Sequence, residues 1–152
     1  MMYLVCNIDE LSFGIPYSQI MEVIPLVKIN EIPGSPDYIA GMINYRKQLI
    51  PVIDLQQIMR KRQHKRLMST RIIIANNTEK EGIIGFITEN TTDILEIISN
   101  EIRERKVKVN NADYIEKALL IDDSILFVLN INQIPYDLSS VELIENSELL
   151  ND

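Results

Sequence analysis

The feature that most constrains the fold of this chain is an internal duplication. Residues 38–58 align without a gap onto residues 114–134, at an offset of 76 positions. Five of the aligned positions are identical, and most of the others keep apolar character. Upstream of these copies, a weaker match aligns residues 13–15 with residues 84–86. Because self-similarity at a fixed offset indicates a repeated structural unit, we expect two related halves of about 70 residues each.

Short apolar segments separated by turn residues recur in both halves. The predicted strands are residues 3–8, 11–16, 41–45, 49–53, 70–75, 82–87, 118–121 and 125–129. Strands that follow one another without long intervening helices are typical of antiparallel sheets, and a small sheet with two apolar faces loses its exposed edges by closing. We therefore predict a mainly β fold of two intertwined, small five-stranded antiparallel β-barrels with short helices. One domain would span 1–152, with sub-barrels at approximately 12–68 and at 1–11 plus 69–136.

Helices are expected to be few and short. Asp54 follows a predicted strand and precedes Gln57 by three positions, which is typical of a helix N-cap, and Asn130 repeats this pattern in the second half. A first helix is predicted over residues 55–66. A capping-box pattern near the end of the chain predicts a C-terminal helix over residues 139–150.

The composition excludes several classes of protein. The chain has 152 residues, of which 46% are hydrophobic and 24% charged, as in an ordinary globular domain. A net charge of −7 argues against extensive binding to phosphate backbones. No apolar run approaches the roughly 20 residues that a membrane-spanning helix needs. The N-terminus also lacks the basic segment of a signal peptide, so we expect a cytoplasmic protein.

Residues suited to catalysis or metal binding are scarce. Cys6 has no second cysteine to pair with, and His64 is the single histidine, so no Cys/His cluster can hold a metal. The five glycines never form a phosphate-binding pattern. The pair Asp122-Asp123 falls in a predicted hairpin turn, where aspartate is favoured for backbone reasons. We therefore expect no enzymatic activity, no cofactor and no bound metal.

A basic run at residues 60–66 leaves an alternative function open. Small β-barrels are common scaffolds for oligonucleotides, and this run would supply positive charge to a nucleic acid. It contains no interleaved aromatic residues on which bases would stack. The basic C-terminal end of a helix, favoured by the helix dipole, explains it better. The alternative, a small β-barrel that binds single-stranded nucleic acid, depends on this run alone.

The segment NYRKQLIPVIDL, residues 44–55, carries the most specific motif of the chain. It predicts a hairpin with Arg46 and Lys47 in its turn, followed by a strand that contains Pro51. Because proline cannot donate a ladder hydrogen bond, Pro51 indicates an edge strand or a barrel corner. The segment resembles the N-x-R-G-x-x-x-P-V-x-D-L motif of the CheW family, adaptor proteins that couple bacterial chemoreceptors to the histidine kinase CheA.

Other segments extend this resemblance from about Tyr3 to Tyr136. Residues 33–41 resemble the proline-containing segment that leads into a glycine in the family, and residues 20–23 resemble its V-x-E-I segment. In the second half, residues 85–88 with residues 93–95 match the corresponding pattern. The resemblance implies the family's twin-barrel fold, in agreement with the duplication.

The resemblance also implies a function and a set of partners. It implies a non-catalytic scaffold that binds the cytoplasmic tip of methyl-accepting chemoreceptors with one surface and the regulatory domain of CheA with another. By position, the receptor-facing residues would be Ile20, Glu22, Gly41 and Arg46. Three alternatives remain open at this point: Ile20 in the core, Gly41 as a site of close backbone approach, and Glu22 paired with Arg46 as a structural ion pair.

The remaining motif positions are assigned to structure. These are Asn44, Pro51 and Asp54. Two positions depart from the family pattern, because Lys47 and Lys117 stand where glycines are expected. If the turn requires a positive φ at Lys47, that conformation costs roughly 1 kcal/mol. The departure bears on the receptor contact at the turn rather than on the fold.

Overall fold

The computed structural model describes residues 2–8, 10–60, 68–77, 82–96 and 103–136, and these form mainly β-structure. The strands in chain order are β1 (Met2–Ile8), β2 (Leu11–Pro16), β3 (Ile20–Pro25), β4 (Ile39–Tyr45), β5 (Gln48–Asp54), β6 (Arg71–Asn77), β7 (Gly82–Thr88), β8 (Asn90–Glu96), β9 (Arg103–Lys106), β10 (Ile115–Ile121) and β11 (Ser124–Leu129). The described helical elements are α1 (Leu55–Arg60) and the 3₁₀ turns Tyr17–Gln19 and Ile131–Gln133. The strands form a six-stranded sheet, β8-β1-β2-β11-β10-β9, and a five-stranded sheet, β3-β6-β7-β5-β4.

All of the strands predicted from the sequence are present, and the structure adds β3, β8 and β9. Each added strand lies at the outer end of a sheet. An outer strand pairs on one side only and is less completely covered than a central one. No residue of β3 is fully buried, and all four residues of β9 are exposed. The apolar pattern on which strand prediction depends is weak in β8 and β9, whereas β3, IMEVIP, is mostly apolar.

Each sheet combines strands from both halves of the chain. The five-stranded sheet contains β3, β4 and β5 of the first half with β6 and β7 of the second, and the six-stranded sheet combines β1 and β2 with β8 to β11. The ladders that join β2 to β11 and β5 to β7 are parallel. The prediction of wholly antiparallel sheets is therefore wrong. It fails because no hairpin connects these strands and forces them to run in opposite directions.

The exchange of strands also affects the predicted architecture. Sheet membership does not follow the predicted sub-barrels, since β2 lies in the six-stranded sheet and β6 and β7 lie in the five-stranded one. One sheet has six strands instead of five. Within the described residues, no backbone ladder joins the outer strands of either sheet, so closed barrels are not found. Helix α1 begins at Leu55 as predicted, whereas residues 61–66 and the predicted helix 139–150 lie outside the described residues.

The duplicated segments adopt matching hairpins, β4–β5 and β10–β11, with both turns at the predicted positions. Backbone contacts repeat at the same offset. The N–H of Asp54 donates to the carbonyl of Tyr38 at 2.8 Å, and the N–H of Asn130 donates to the carbonyl of Tyr114 at 2.8 Å. The duplication is therefore confirmed at the level of individual hydrogen bonds.

Three apolar clusters form the core. One lies within the five-stranded sheet, one within the six-stranded sheet, and the third draws on both sheets. Their main members are, in that order, Ile43, Ile50, Val52, Ile72 and Ile74; Tyr3, Leu119, Leu126 and Val128; and Phe13, Ile15, Ile53, Ile73, Phe86 and Leu129. Each fully buried aliphatic or aromatic side chain contributes roughly 1.5–3 kcal/mol. Each sheet curls around its own apolar cluster, and the third cluster packs the two curled sheets against each other.

Candidate functional site

Glu22, Tyr45 and Arg46 form a cluster of polar side chains at one end of the five-stranded sheet. Arg46 Nη2 lies 3.0 Å from Glu22 Oε2, and the Tyr45 hydroxyl donates to the same carboxylate oxygen at 2.5 Å. The Arg46 guanidinium also lies over the Tyr45 ring, 5.2 Å from its centroid. Glu22 belongs to β3 and Tyr45 to β4, the two outermost strands of this sheet. The five-stranded sheet is therefore curled, so that side chains at its two edge strands contact each other.

The cluster is anchored by a buried residue and reaches the surface with charged ones. Tyr45 is 8% exposed, whereas the Arg46 and Glu22 side chains are 73% and 37% exposed. The hydrogen bond to Glu22, together with burial, raises the pKa of Tyr45 above its ordinary value of 10.0. The hydroxyl therefore stays protonated and keeps donating to Glu22 at neutral pH. The arrangement presents an oriented guanidinium to solvent, which suits recognition of a partner.

The turn that carries Arg46 has a left-handed backbone. Arg46 has φ 50° and Lys47 has φ 67°. These values are typical of the two-residue turns that match the twist of a hairpin and favour glycine. Asn44 stabilises the turn, because its Oδ1 accepts a hydrogen bond from the N–H of Lys47 at 2.9 Å. The turn has thus kept the conformation that the expected glycine would favour.

Gly41 lies at a close approach of two backbone segments and is buried. Its φ is 146°, and a Cβ at this position would lie 2.3 Å from the carbonyl oxygen of Asn30. The same oxygen accepts a hydrogen bond from the N–H of Met42 at 2.8 Å. The structure thus supports close backbone approach as the reason for this glycine.

The structure brings two of the four predicted site residues into contact, Glu22 and Arg46. Ile20 begins β3 and is half-buried, packed against the core that joins the two sheets. Tyr45, which the sequence did not single out, completes the cluster. The hairpin pattern already places Tyr45 directly before the predicted two-residue turn, next to Arg46. Its contact with Glu22, 23 positions away, was not available from that pattern.

Two further motif residues occupy defined structural positions. Asp54 Oδ1 accepts hydrogen bonds from the N–H groups of Gln56 and Gln57 at 3.0 and 3.3 Å, so the predicted N-cap is confirmed. Pro51 is buried in β5, which lies between β4 and β7. Of the two alternatives predicted for Pro51, the edge strand is therefore wrong, and the barrel corner stays a prediction. The parallel ladder to β7 begins at Val52, so the missing N–H of Pro51 falls just before it.

The surroundings of Cys6 determine the chemistry of its thiol. Cys6 is fully buried, and desolvation raises the pKa of its thiol to about 12. It is therefore protonated at neutral pH and unsuited to act as a nucleophile. Groups of three or more residues able to hold a metal ion are absent from the described part of the chain. His64 lies outside that part.

In the ranges that the structure describes, no helix combines the length and the apolar character that crossing a bilayer requires.

These observations define a class of protein before any relative is considered. It is a mainly β protein with a charged, hydrogen-bonded surface cluster. Comparison with known proteins then gives the family. The model of the CheW-like domain matches residues 2–138, and the chain belongs to that family.

Individual relatives agree with this assignment. The chain is 25% identical over 133 residues to chemotaxis protein CheW of Bacillus subtilis, an alignment that covers 86% of this chain and 84% of that protein. It is 23% identical over 101 residues to chemotaxis protein CheW of Klebsiella aerogenes, which covers 66% of this chain and 60% of that protein. The crystal structure of the scaffolding protein TtCheW from Thermoanaerobacter tengcongensis superposes with a TM-score of 0.75 at 25% identity, over 88% of this chain and 86% of that one.

Proposed function

We propose that the protein is a non-catalytic chemotaxis adaptor that couples chemoreceptors to the histidine kinase CheA. The observation that carries the proposal is the CheW-like family match over residues 2–138. It is supported by the similarity in fold to a CheW scaffolding protein. The scarcity of reactive groups agrees with a scaffold, because the one cysteine is buried and protonated. As an adaptor the protein would work in the cytoplasm, without a cofactor or a metal.

The partners of the adaptor would be the cytoplasmic tip of methyl-accepting chemoreceptors and the regulatory domain of CheA. We assign the receptor contact to Glu22 and Arg46. A guanidinium carries five N–H donors, and the bond to Glu22 uses one of them, so further donors are available to a partner. Ile20 and Gly41 would support this surface from below, Ile20 by packing against the core and Gly41 by admitting the backbone of Asn30.

Three other motif residues would have structural roles within the same surface. Asn44 holds the turn that presents Arg46. Pro51 stiffens the strand that follows the turn, since its ring fixes φ. Asp54 caps the helix that begins where this strand ends. These roles explain why the motif spans one continuous segment of the chain.

The alternative function, binding of single-stranded nucleic acid, is not favoured by these observations. Both the family match and the structural match point to chemotaxis scaffolds. The alternative depended on the basic run at residues 60–66, and the side chains of that run lie outside what the structure describes.

The experiment that tests the function is direct binding of the purified protein to its partners. Isothermal titration would measure binding to the regulatory domain of CheA, to a receptor-tip fragment and to a single-stranded oligonucleotide. Asp123→Ala, an exposed position in the β10–β11 turn of the six-stranded sheet, serves as the matched control and should bind as the unmodified protein does. We expect binding to the first two ligands and not to the third. Tight oligonucleotide binding without binding to CheA would favour the alternative and contradict the adaptor.

A further inference from the structure

The six-stranded sheet ends in a short basic strand, β9. It pairs with β10 on one side, and within the described residues no strand pairs with its other side. All four residues of β9 are exposed. An exposed outer strand presents backbone N–H and C=O groups to solvent, and these groups are a template for pairing with another chain.

The register of the ladder identifies the backbone groups that face outward. Lys106 lies opposite Lys117 on β10, and the N–H of Val107 donates to the carbonyl of Glu116 at 3.3 Å. In an antiparallel ladder, facing pairs alternate between those that exchange hydrogen bonds and those that do not. Because Val107 bonds to β10, the backbone groups of Glu104 and Lys106 point away from β10. They are available to an added strand.

The charge of this edge contrasts with that of the whole chain. Residues 103–108, RERKVK, contain four basic residues and one acid, whereas the chain has a net charge of −7. The acid, Glu104, is already paired with Lys117, with its Oε1 3.2 Å from the lysine Nζ. An approaching segment therefore encounters mainly positive charge at β9.

The two faces of β9 differ in their side chains. Arg103 and Arg105 lie on one face, because side chains alternate along a strand. On that face Arg103 is opposite Leu120, which is 41% exposed. On the other face, a groove of about 500 Å³ mixes lysines with carboxylates. By the same alternation Glu116, opposite Val107, lies on the arginine face, so this face carries two cations beside one carboxylate and is positive overall.

We propose that β9 binds an extended, acidic peptide segment of a partner chain by strand addition. The peptide backbone pairs with the outward groups of Glu104 and Lys106, and carboxylates at alternate positions lie beside Arg103 and Arg105. Main-chain pairing supplies affinity in this mode of recognition, and alternate side chains supply specificity. The proposal goes beyond the adaptor function and does not depend on it.

The first experiment tests whether binding depends on the charge of the peptide. Fluorescence anisotropy measures binding of a labelled hexapeptide, Glu-Val-Glu-Val-Glu-Val, and a Lys-Val peptide of equal length is the negative probe. The double variant Arg103→Glu/Arg105→Glu should weaken binding of the acidic peptide about tenfold or more. The matched control is Lys28→Glu/Lys47→Glu, which changes two exposed residues elsewhere and lowers the net charge equally. It should weaken binding less than about twofold, because distant exposed charges are screened by salt. Equal weakening by both double variants would overturn the proposal.

Glu104→Pro tests the backbone requirement. Proline removes the outward N–H while leaving the ladder bond of Val107 to β10 in place, and it also removes a negative charge. Charge alone would therefore strengthen binding of the acidic peptide, whereas strand addition predicts that binding weakens by about tenfold. Glu104→Gln loses the same charge and keeps the N–H, so it should bind at least as tightly as the unmodified protein. Equal affinities for Glu104→Pro and Glu104→Gln would overturn strand addition.

Thermal unfolding of each variant separates loss of binding from loss of fold. If Glu104→Pro unfolds, the acidic peptide with N-methylated valines tests the backbone requirement instead, because it keeps every charge and loses N–H donors; affinity equal to that of the unmodified peptide would overturn strand addition. An oligonucleotide of equal charge that binds tighter than the acidic peptide would also overturn it, in favour of a nucleic acid. The peptide assays contain neither CheA nor a receptor, so failure here is distinguishable from failure of the adaptor function.

Discussion

At the scale of single residues, Arg46 combines a structural contact with an exposed position. Its ion pair with Glu22 is largely open to solvent, and such pairs contribute under about 1 kcal/mol to stability. An arginine that contacts a partner typically contributes on the order of 2 kcal/mol to binding. We therefore expect Arg46→Ala to weaken binding to a receptor-tip fragment by about thirtyfold, with little change in the thermal midpoint or in binding to the CheA regulatory domain.

Titration calorimetry and thermal unfolding of Arg46→Ala, beside the Asp123→Ala control, check this prediction. Equal loss of both interactions together with a lowered midpoint would show that Arg46 is structural. Unchanged receptor binding with an unchanged midpoint would show that the turn containing Lys47 does not meet the receptor.

Gly41 and Gly34 provide a matched pair for backbone strain. Both have positive φ, 146° and 81°, but only at Gly41 would a Cβ collide with backbone. Gly41→Ala is expected to lower the free energy of unfolding by about 3 kcal/mol or more, since it adds a clash to an unfavourable φ. Gly34→Ala should lower it by only about 1 kcal/mol. Urea denaturation of both variants measures the difference, and similar losses would contradict the role of the Asn30 carbonyl.

Tyr45 gives the site a pH dependence with a defined sign. Its hydrogen bond to Glu22 is the largest cause of its raised pKa. A group whose pKa is higher in the folded state stabilises the fold below its unfolded pKa and loses this contribution as the pH rises through its folded pKa. The free energy of unfolding should therefore fall as the pH rises above about 10.

Glu22→Gln is expected to move the pKa of Tyr45 back toward 10.0, because the charged acceptor is lost. Phenolate absorbance during an alkaline titration measures this, and Tyr45→Phe identifies which step belongs to Tyr45. A titration of Glu22→Gln that superposes on that of the unmodified protein would show that the Tyr45–Glu22 bond does not control the ionisation.

At the scale of elements, the β4–β5 and β10–β11 hairpins use different residues in equivalent turns. In the first turn Arg46 and Lys47 have φ 50° and 67°, whereas in the second the positive φ, 52°, is at Asp122, the equivalent of Arg46. Lys47→Gly should raise the free energy of unfolding by roughly 0.5–1 kcal/mol, because glycine adopts this conformation without steric cost. Asp122→Gly should raise it less, since aspartate tolerates the left-handed region better than lysine. Urea denaturation measures both changes, and a less stable Lys47→Gly protein would contradict the strain.

The segments that lead into these hairpins show where prediction at this scale reaches its limit. Gly41 and Lys117 are equivalent by sequence, yet their neighbours differ. In the first half an isolated antiparallel β-bridge pairs the backbones of Asn30 and Met42. In the second half the whole of β9 pairs with β10. Turn and cap residues signal their conformation through adjacent positions, so both hairpins and both caps were predictable. The strand β9, in contrast, contains no apolar residue, so an apolar pattern does not predict it.

At the scale of the whole molecule, the exchange of strands makes each sheet depend on both halves. In the five-stranded sheet, β6 and β7 of the second half lie between β3 and β5 of the first. A fragment of residues 1–67 therefore lacks the strands that cover Val52 and Ile53. We expect this fragment to be unfolded by circular dichroism and by amide proton dispersion.

Mixing the fragment with residues 68–152 should restore a folded, equimolar complex, because the exchanged ladders then reform between two chains. Size-exclusion chromatography of the mixture measures the complex, and each fragment alone is its control. A folded 1–67 fragment would contradict the interdependence of the halves.

The amino-acid sequence by itself determined the features that depend on neighbouring residues and on the repeat. These are the duplicated hairpins and the cap at Asp54. Only the tertiary structure decided which half supplies each strand, that Tyr45 joins the cluster, and that Pro51 lies in a central strand. The physical reason is that parallel pairing such as Val52 with Gly85 depends on side-chain packing between segments distant in sequence, which no local pattern encodes.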